Sequence, residues 1–262
     1  MKNIIVALKV ELMKAWRSRV FFVSLVFFLF IGIMMGLLVY LAMHPEIAGR
    51  SSALEMKTSF LGEMSWMGFY GLMDQVVLTI VVIGSGIITG WVFGREFSDR
   101  TMKDLIALPV SRSAIVGAKL LVLVAWSLIL SLLVLAAAMG IGFLIHLPGW
   151  DISHFMPFLG RYLVSTVLNI LLITPVALVA CVGRGYILPI AFVVLIMIMT
   201  QFIFVAIPQF TPWFPWALPA LVSRVAGAGL PSPGFISYII YFATVLGFLS
   251  GTIVWWRRAD QR

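Results

Sequence analysis

Residues 94–119 read GREFSDRTMKDLIALPVSRSAIVGAK, a charged link with a long apolar run on either side of it. Ser98 to Leu108 has the spacing of a short amphipathic helix. Ser98 can cap it, Asp99 suits its first turn and Pro109 ends it. Met102, Leu105, Ile106 and Leu108 supply an apolar face, with Arg100, Lys103 and Asp104 as charged neighbours. A mixed face on so tight a link either beds into a partner's groove or turns its apolar side against its own bundle. The residues alone leave both readings open.

The flanking runs decide the fold class. A helix crossing the hydrocarbon core needs about 20 mostly apolar residues. Six stretches qualify: 20–42, 74–94, 117–145, 162–182, 186–207 and 235–256. The third is longer than one crossing needs, so it tilts or projects into water. The runs are continuous rather than alternating, which favours helices over a membrane barrel. No cleavable signal peptide is expected, since the first run is too long and lacks a small-residue cleavage site. The 262 residues are 62% hydrophobic and 11% charged, against about 45–50% and roughly 25% in soluble domains. That composition excludes a soluble enzyme, a disordered chain and a disulfide scaffold. The single cysteine, Cys181, sits inside an apolar run.

Charge placement sets the topology. Of the 18 Lys and Arg, 14 fall on the side holding the N-terminus, the 95–116 link with Lys119 just beyond it, Arg184 and the C-terminus. Only Arg50, Lys57, Arg161 and Arg224 fall on the other. The positive-inside rule then places both termini in the cytoplasm. The net charge of +8 is thus a topology signal, and no nucleic-acid partner is expected. The whole of 1–262 reads as a single transmembrane domain.

Two segments outside the spans carry structure. Within 1–19, Ile4, Ile5, Leu8, Leu12 and Trp16 fall on one arc of a helix, with Lys2, Lys9, Lys14 and Arg17 off it. This is the pattern of an interfacial helix lying in the inner leaflet and meeting membrane lipid. Segment 208–234 combines Pro208, Pro212, Pro215, Pro219, Pro231 and Pro233 with Trp213 and Trp216. Pro breaks helix and Trp favours the headgroup level, so short broken helices dipping back into the outer leaflet are expected.

Glu96, Thr101, Leu105, Pro109-Val110-Ser111-Arg112 and Gly117-x-Lys119 resemble the cytoplasmic signature of type-2 ABC permeases, the membrane subunits of bacterial ATP-binding-cassette exporters. Arg100 stands where that pattern has Gly. The resemblance extends over nearly the whole chain: interfacial N-terminal helix, six spans, and a broken Pro/aromatic segment before the last one. It implies an all-α membrane fold of the type-2 exporter kind. It also implies that the 95–116 link is a coupling helix docking on an ATPase subunit through Glu96, Thr101, Met102, Leu105, Leu108, Pro109, Ser111 and Arg112. The expected assembly is two permease copies, identical or not, with two ATPase copies, in the bacterial cytoplasmic (inner) membrane.

No Gly-x4-Gly-Lys-Ser/Thr occurs in the chain, so ATP and Mg are expected on the partner and no cofactor on this chain. No catalytic constellation and no metal site is expected: His44, His146 and His154 lack ligand spacing. Gly32-x3-Gly36 and Gly86-x3-Gly90-x3-Gly94 allow close helix approach, either within the chain or between permease copies. Pro175 and Pro189 can kink their spans. Asp74 is expected at the outer edge of its span, within reach of water. Asn169 and Gln201 are expected to bond neighbouring helices rather than cargo. The uncharged interior favours an amphipathic cargo such as a peptide antibiotic, a drug or a lipid, and the cargo-contacting residues stay unassigned. A secondary carrier, a non-transporting scaffold, and export of ions or copper-related cargo are the alternatives. The Leu105→Asp change is expected to uncouple the complex, with milder effects at Glu96 and Arg112.

Overall fold

The computed structural model describes residues 2–44, 65–102, 110–223 and 230–258, and every element among them is helical. They are α1 (Lys2–Trp16), α2 (Arg19–Met43), α3 (Trp66–Val76), a π-turn (Val77–Val81), α4 (Val82–Ser98), α5 (Arg112–Leu144), α6 (Ile152–Leu171), α7 (Ile173–Gly183), α8 (Ile187–Ala206), two 3-10 turns (Pro208–Trp213 and Pro215–Ala217), α9 (Leu218–Ser223) and α10 (Phe235–Arg258). Six helical stretches are long and apolar enough to span a membrane: Arg19–Met43, Trp66–Ser98, Arg112–Leu144, Ile152–Gly183, Ile187–Ala206 and Phe235–Arg258.

Local chemistry sets the helix ends. Ser18 Oγ accepts from Phe21 N at 3.1 Å and caps α2. Ser111 Oγ accepts from Ala114 N at 3.3 Å and caps α5. Asp151 Oδ1 accepts from Ser153 N at 2.8 Å and caps α6. Each side chain satisfies one of the amides that a helix N-terminus leaves unpaired.

The second and fourth stretches begin at Trp66 and Ile152, well before the apolar runs at 74 and 162. Both start in an aromatic cap. The Trp66 ring packs within 4.8–5.9 Å of Phe69, Phe143 and Trp150, and Tyr70 stacks on Phe158 at 4.3 Å and 11°. This cap corrects the placement of Asp74. The residue lies two turns inside the helix and is 3% exposed, not at a wet edge. Its Oδ1 has no hydrogen-bond partner among the described residues, and Arg161 on α6 is the cation that acts on it electrostatically.

Helix α5 is the axis of the bundle, packing on α1, α2, α4, α6 and α10. The glycine ladders serve packing within the chain. A Cβ at Gly32 would lie 2.6 Å from the Ala137 Cβ, and one at Gly36 would strike the Ile141 side chain. Gly86, Gly90 and Gly94 receive Val193, Pro189 and Gly185 from α8 and the turn before it. The prolines act differently from one another. Pro175 has no N–H to give the Leu171 carbonyl, one turn back, where α6 ends. Pro189 sits in the first turn of α8, where a missing N–H costs little.

Segment 208–223 folds as the two 3-10 turns and α9, packed on α6, α8 and α10. Thr211, Ala217, Leu218 and Leu221 are buried, while Phe210 and Trp213 are half exposed. Arg224 lies outside the described residues, as do Arg50 and Lys57. α2, α8 and α10 leave broad apolar faces open, with Ile187, Val205 and Phe235 at least 80% exposed. Such faces fit lipid and not water.

Candidate functional site

One end of the bundle carries α1, the end of α4 and the start of α5, together with the last turn of α10. This is the basic end; the aromatic cap closes the other. α1 meets α5 through Ala7, Glu11 and Ala15, whose four-residue spacing lines one helix face. The two alanines let the helices approach closely enough to place Glu11 beside Lys119.

Lys119 is wholly buried, Glu96 is 2% exposed and Glu11 is 3% exposed. Lys119 Nζ donates to Glu96 Oε1 at 2.7 Å, to Glu11 Oε2 at 3.0 Å and to the Val92 carbonyl at 3.5 Å. An ammonium has three N–H donors, and this one has three acceptors. Lys14 Nζ donates to Glu11 Oε1 at 3.0 Å and to Glu96 Oε1 at 3.2 Å. Arg95 approaches Glu11 at 3.5 Å and Glu96 at 3.6 Å, with its guanidinium 4.6 Å from the centre of the Trp91 ring. Thr101 Oγ1 donates to Glu96 Oε2 at 2.7 Å. Two carboxylates thus join three cations from three helices. Burying charge is tolerable only when it is paired and fully hydrogen-bonded, and this cluster meets that condition.

Among the residues named from sequence, Glu96 and Thr101 belong to the cluster, and Met102 packs half-buried against the core. Ser111 caps α5. Arg112 Nη1 donates to the Trp256 and Arg257 carbonyls at 3.2 and 2.9 Å, tying the start of α5 to the end of α10. A cation on the orphan carbonyls of a helix C-terminus is favourable. Leu105, Leu108 and Pro109 lie outside the described residues, as do Lys103, Asp104 and Ile106. On α1, Ile4, Leu12 and Trp16 are exposed, and Leu8 packs on the core. Ile4, Leu12 and Trp16 therefore face outward, and beside Leu8 the buried face is that of Ala7, Glu11 and Ala15.

Glu11, Lys14 and Arg95 were not singled out from the sequence as cluster members. The usable signal was Ala7-x3-Glu11-x3-Ala15: a carboxylate between two small residues on one face, opposite a Lys at the start of an apolar run.

A second site lies in the body of the bundle, a cavity of about 660 Å³ walled by α2, α3, the π-turn, α8 and the 3-10 segment. Met35, Leu38, Leu72, Phe204 and Trp216 make it apolar, and among the described residues its lining contains no charged side chain. The polar lining consists of Gln75, Thr79, Asn169, Thr200 and Gln201. Thr79 and Thr200 spend their hydroxyl protons on the Gln75 and Ile196 carbonyls, each at 2.7 Å. Gln75 and Gln201 stand exposed on facing helices. Asn169 Nδ2 donates to the Val77 carbonyl at 3.4 Å, a bond between helices. Among the described residues, no group of three or more His, Cys, Asp or Glu could hold a metal ion.

A family model described as ABC-2 family transporter protein matches residues 7–201. The bacitracin transport permease protein BCRB of Bacillus licheniformis is 27% identical over 186 residues, which is 71% of this chain and 88% of its own length.

Proposed function

The chain belongs to the ABC-2 transporter family, and from that premise we propose that it works as the membrane-spanning permease subunit of an exporter driven by a separate ATPase subunit. The observation that carries this reading is the pair of carboxamides, Gln75 and Gln201, exposed on facing helices beside an uncharged cavity. Lipid tails offer an amide no hydrogen-bond partner, and leaving one unmet in hydrocarbon costs several kcal/mol. That face therefore meets cargo, water or a second permease copy rather than acyl chains.

The cavity suits a cargo with an apolar body and neutral hydrogen-bonding groups. A peptide antibiotic fits that description, and the relative named for bacitracin transport points to the same class. The basic end faces the cytoplasm under the positive-inside rule, so both termini lie inside, in a bacterial cytoplasmic membrane. The 98–109 segment docks on the ATPase, which holds ATP and Mg. Closure of two ATPase copies moves the basic ends of two permease copies, and the spans tilt to change access to the cavity.

The test expresses the tagged chain with its genomic neighbours, purifies it in mild detergent and reconstitutes it. Co-elution of an ATPase and ATP-dependent accumulation across a panel of peptide, drug-like and lipid cargoes support the reading. Robust transport by this chain alone, without ATP, overturns it in favour of a secondary carrier.

A further inference from the structure

Two interruptions in the bundle lie side by side. The second span passes through the π-turn Val77–Val81, and the fourth breaks at Leu172 between α6 and α7. The fourth-span break follows from Pro175, as described above. In place of the missing amide, Thr174 Oγ1 donates to the Leu171 carbonyl at 3.2 Å, and the same hydroxyl lies 3.2 Å from the Val245 carbonyl of α10. The π-turn has no such cause in its own residues, since Val-Leu-Thr-Ile-Val contains neither Pro nor Gly. What meets it is Asn169. This side chain is 4% exposed and its Nδ2 donates to the Val77 carbonyl at 3.4 Å, while the residue's main-chain carbonyl accepts from Leu172 N at 3.2 Å. One residue thus contacts both interruptions.

The consequence reaches the cavity wall. Val77 and Val81 are buried, while Leu78, Thr79 and Ile80 between them all line the cavity, as does Asn169 itself. A regular helix presents residues three or four apart to one side, not three in succession. The i→i+5 winding is what spreads them along the wall. Toward the aromatic cap, α3 and α6 are bound to each other by the Tyr70–Phe158 stack. Toward the basic end, α4 carries Glu96 into the charged cluster. The layer containing Val77–Val81 and Leu172 therefore separates two firmly packed bodies.

We propose that Asn169 is a positioning residue for cargo passage: its carboxamide holds the π-turn of the second span open, and rewinding of that turn to regular helix is the movement that reshapes the cavity between its access states. Rewinding from i→i+5 to i→i+4 displaces α3 against α4 by one residue's arc, roughly 100°. That swings Thr79 and Gln75 relative to Gln201. The proposal rests on the reading of the cavity as the cargo path.

The experiment uses the full chain with its ATPase partner in nanodiscs and a small aqueous methanethiosulfonate probe. The native Cys181 is wholly buried and stays silent. Thiols are introduced singly by Thr79→Cys on the π-turn and Gln201→Cys on the facing helix, each with Asn169 intact or replaced by Asn169→Leu or Asn169→Gln. Asn169→Leu removes the donor at similar volume. One hydrogen bond of ordinary strength shifts a two-state balance by roughly three- to tenfold. The expected result is a change of that size in labelling at Thr79→Cys, no change at Gln201→Cys, and recovery with Asn169→Gln, which keeps the amide donor. Equal labelling at Thr79→Cys with and without the carboxamide overturns the proposal. Should Asn169→Leu fail to give monodisperse protein, single thiols at 77 through 81 with Asn169 intact decide the matter. Labelling at 78, 79 and 80 but not at 77 or 81 supports a held π-turn, and protection of 78 and 80 overturns it. Cargo that slows labelling at neither Thr79→Cys nor Gln201→Cys removes the cargo-path reading and leaves the Asn169 comparison readable by itself.

Discussion

Lys119 Nζ lies 2.7 Å from Glu96 Oε1, and both side chains are shut off from water. The contact joins the start of α5 to the end of α4, and Glu11 brings α1 into the same knot. Removing one partner of a buried, hydrogen-bonded ion pair typically costs about 3–5 kcal/mol, because it leaves charge uncompensated. Lys119→Met leaves Glu11 and Glu96 facing each other with only Lys14 and Arg95 to balance them. Thermal unfolding in detergent should show a loss of that order, with Glu96→Gln nearly as damaging. The milder effect expected at Glu96 from sequence concerned coupling to the ATPase, and its burial in the cluster adds a cost to the fold itself. A melting curve for Lys119→Met that overlays the parent's would mean the cluster is open to water.

The glycine seam between α2 and α5 gives a sharper steric test. A Cβ at Gly36 strikes the Ile141 side chain, so Gly36→Leu must push α2 off α5. Overpacking of a tight contact costs about 1–3 kcal/mol. Gly36→Leu should therefore destabilise the isolated chain, and Ile141→Ala should relieve much of that loss in the double variant. A loss of permease–permease association with unchanged stability would instead place Gly36 between copies.

These two sites mark what the sequence discloses. The six spans were legible because hydrocarbon demands long uninterrupted apolar runs, and nothing in tertiary packing can mask them. The break near Leu172 follows from Pro175. The buried face of α1 was not legible in the same way: Ile4, Leu12 and Trp16 outweigh Glu11 in any reading of apolar periodicity, yet they face outward and Glu11 faces in. In the proposed interfacial setting that exposed arc goes to lipid, and the protein contact is made by its small and charged neighbours. The π-turn was invisible because Val-Leu-Thr-Ile-Val is ordinary helical sequence, and its partner Asn169 lies far off in the chain. Asp74 was misplaced because hydropathy alone ended the span at the run's edge, whereas Trp66, Phe69 and Tyr70 carry the helix two turns further.

The docking segment is tested by one substitution on the 98–109 stretch. Leu105→Asp places a carboxylate on the face proposed to bed into the ATPase. A central apolar anchor is commonly worth about 2 kcal/mol or more, which corresponds to roughly thirtyfold weaker association. Co-purification of the ATPase should fall by about that factor, while the permease keeps its gel-filtration profile and its melting point. Unchanged co-purification would return this segment to a loop packed on its own bundle.

The cavity's lack of charge makes the cargo reading testable by adding or removing polarity at Gln201. A hydrogen bond between its carboxamide and a neutral cargo is worth about 1 kcal/mol net, so Gln201→Leu should raise the half-saturating cargo concentration by roughly fivefold. The maximal ATP-dependent rate should change less, because the proposed ATPase dock lies at the distant basic end. Gln201→Glu should behave differently, since a carboxylate beside Phe204 and Trp216 must be desolvated whenever an apolar cargo enters. It should depress transport of neutral peptides more than Gln201→Leu does. It should also favour cationic analogues that can pair with the new charge. Parallel accumulation assays with neutral and cationic members of one peptide series separate these effects. Equal responses of the two cargo types to Gln201→Glu would place the transported molecule outside this cavity.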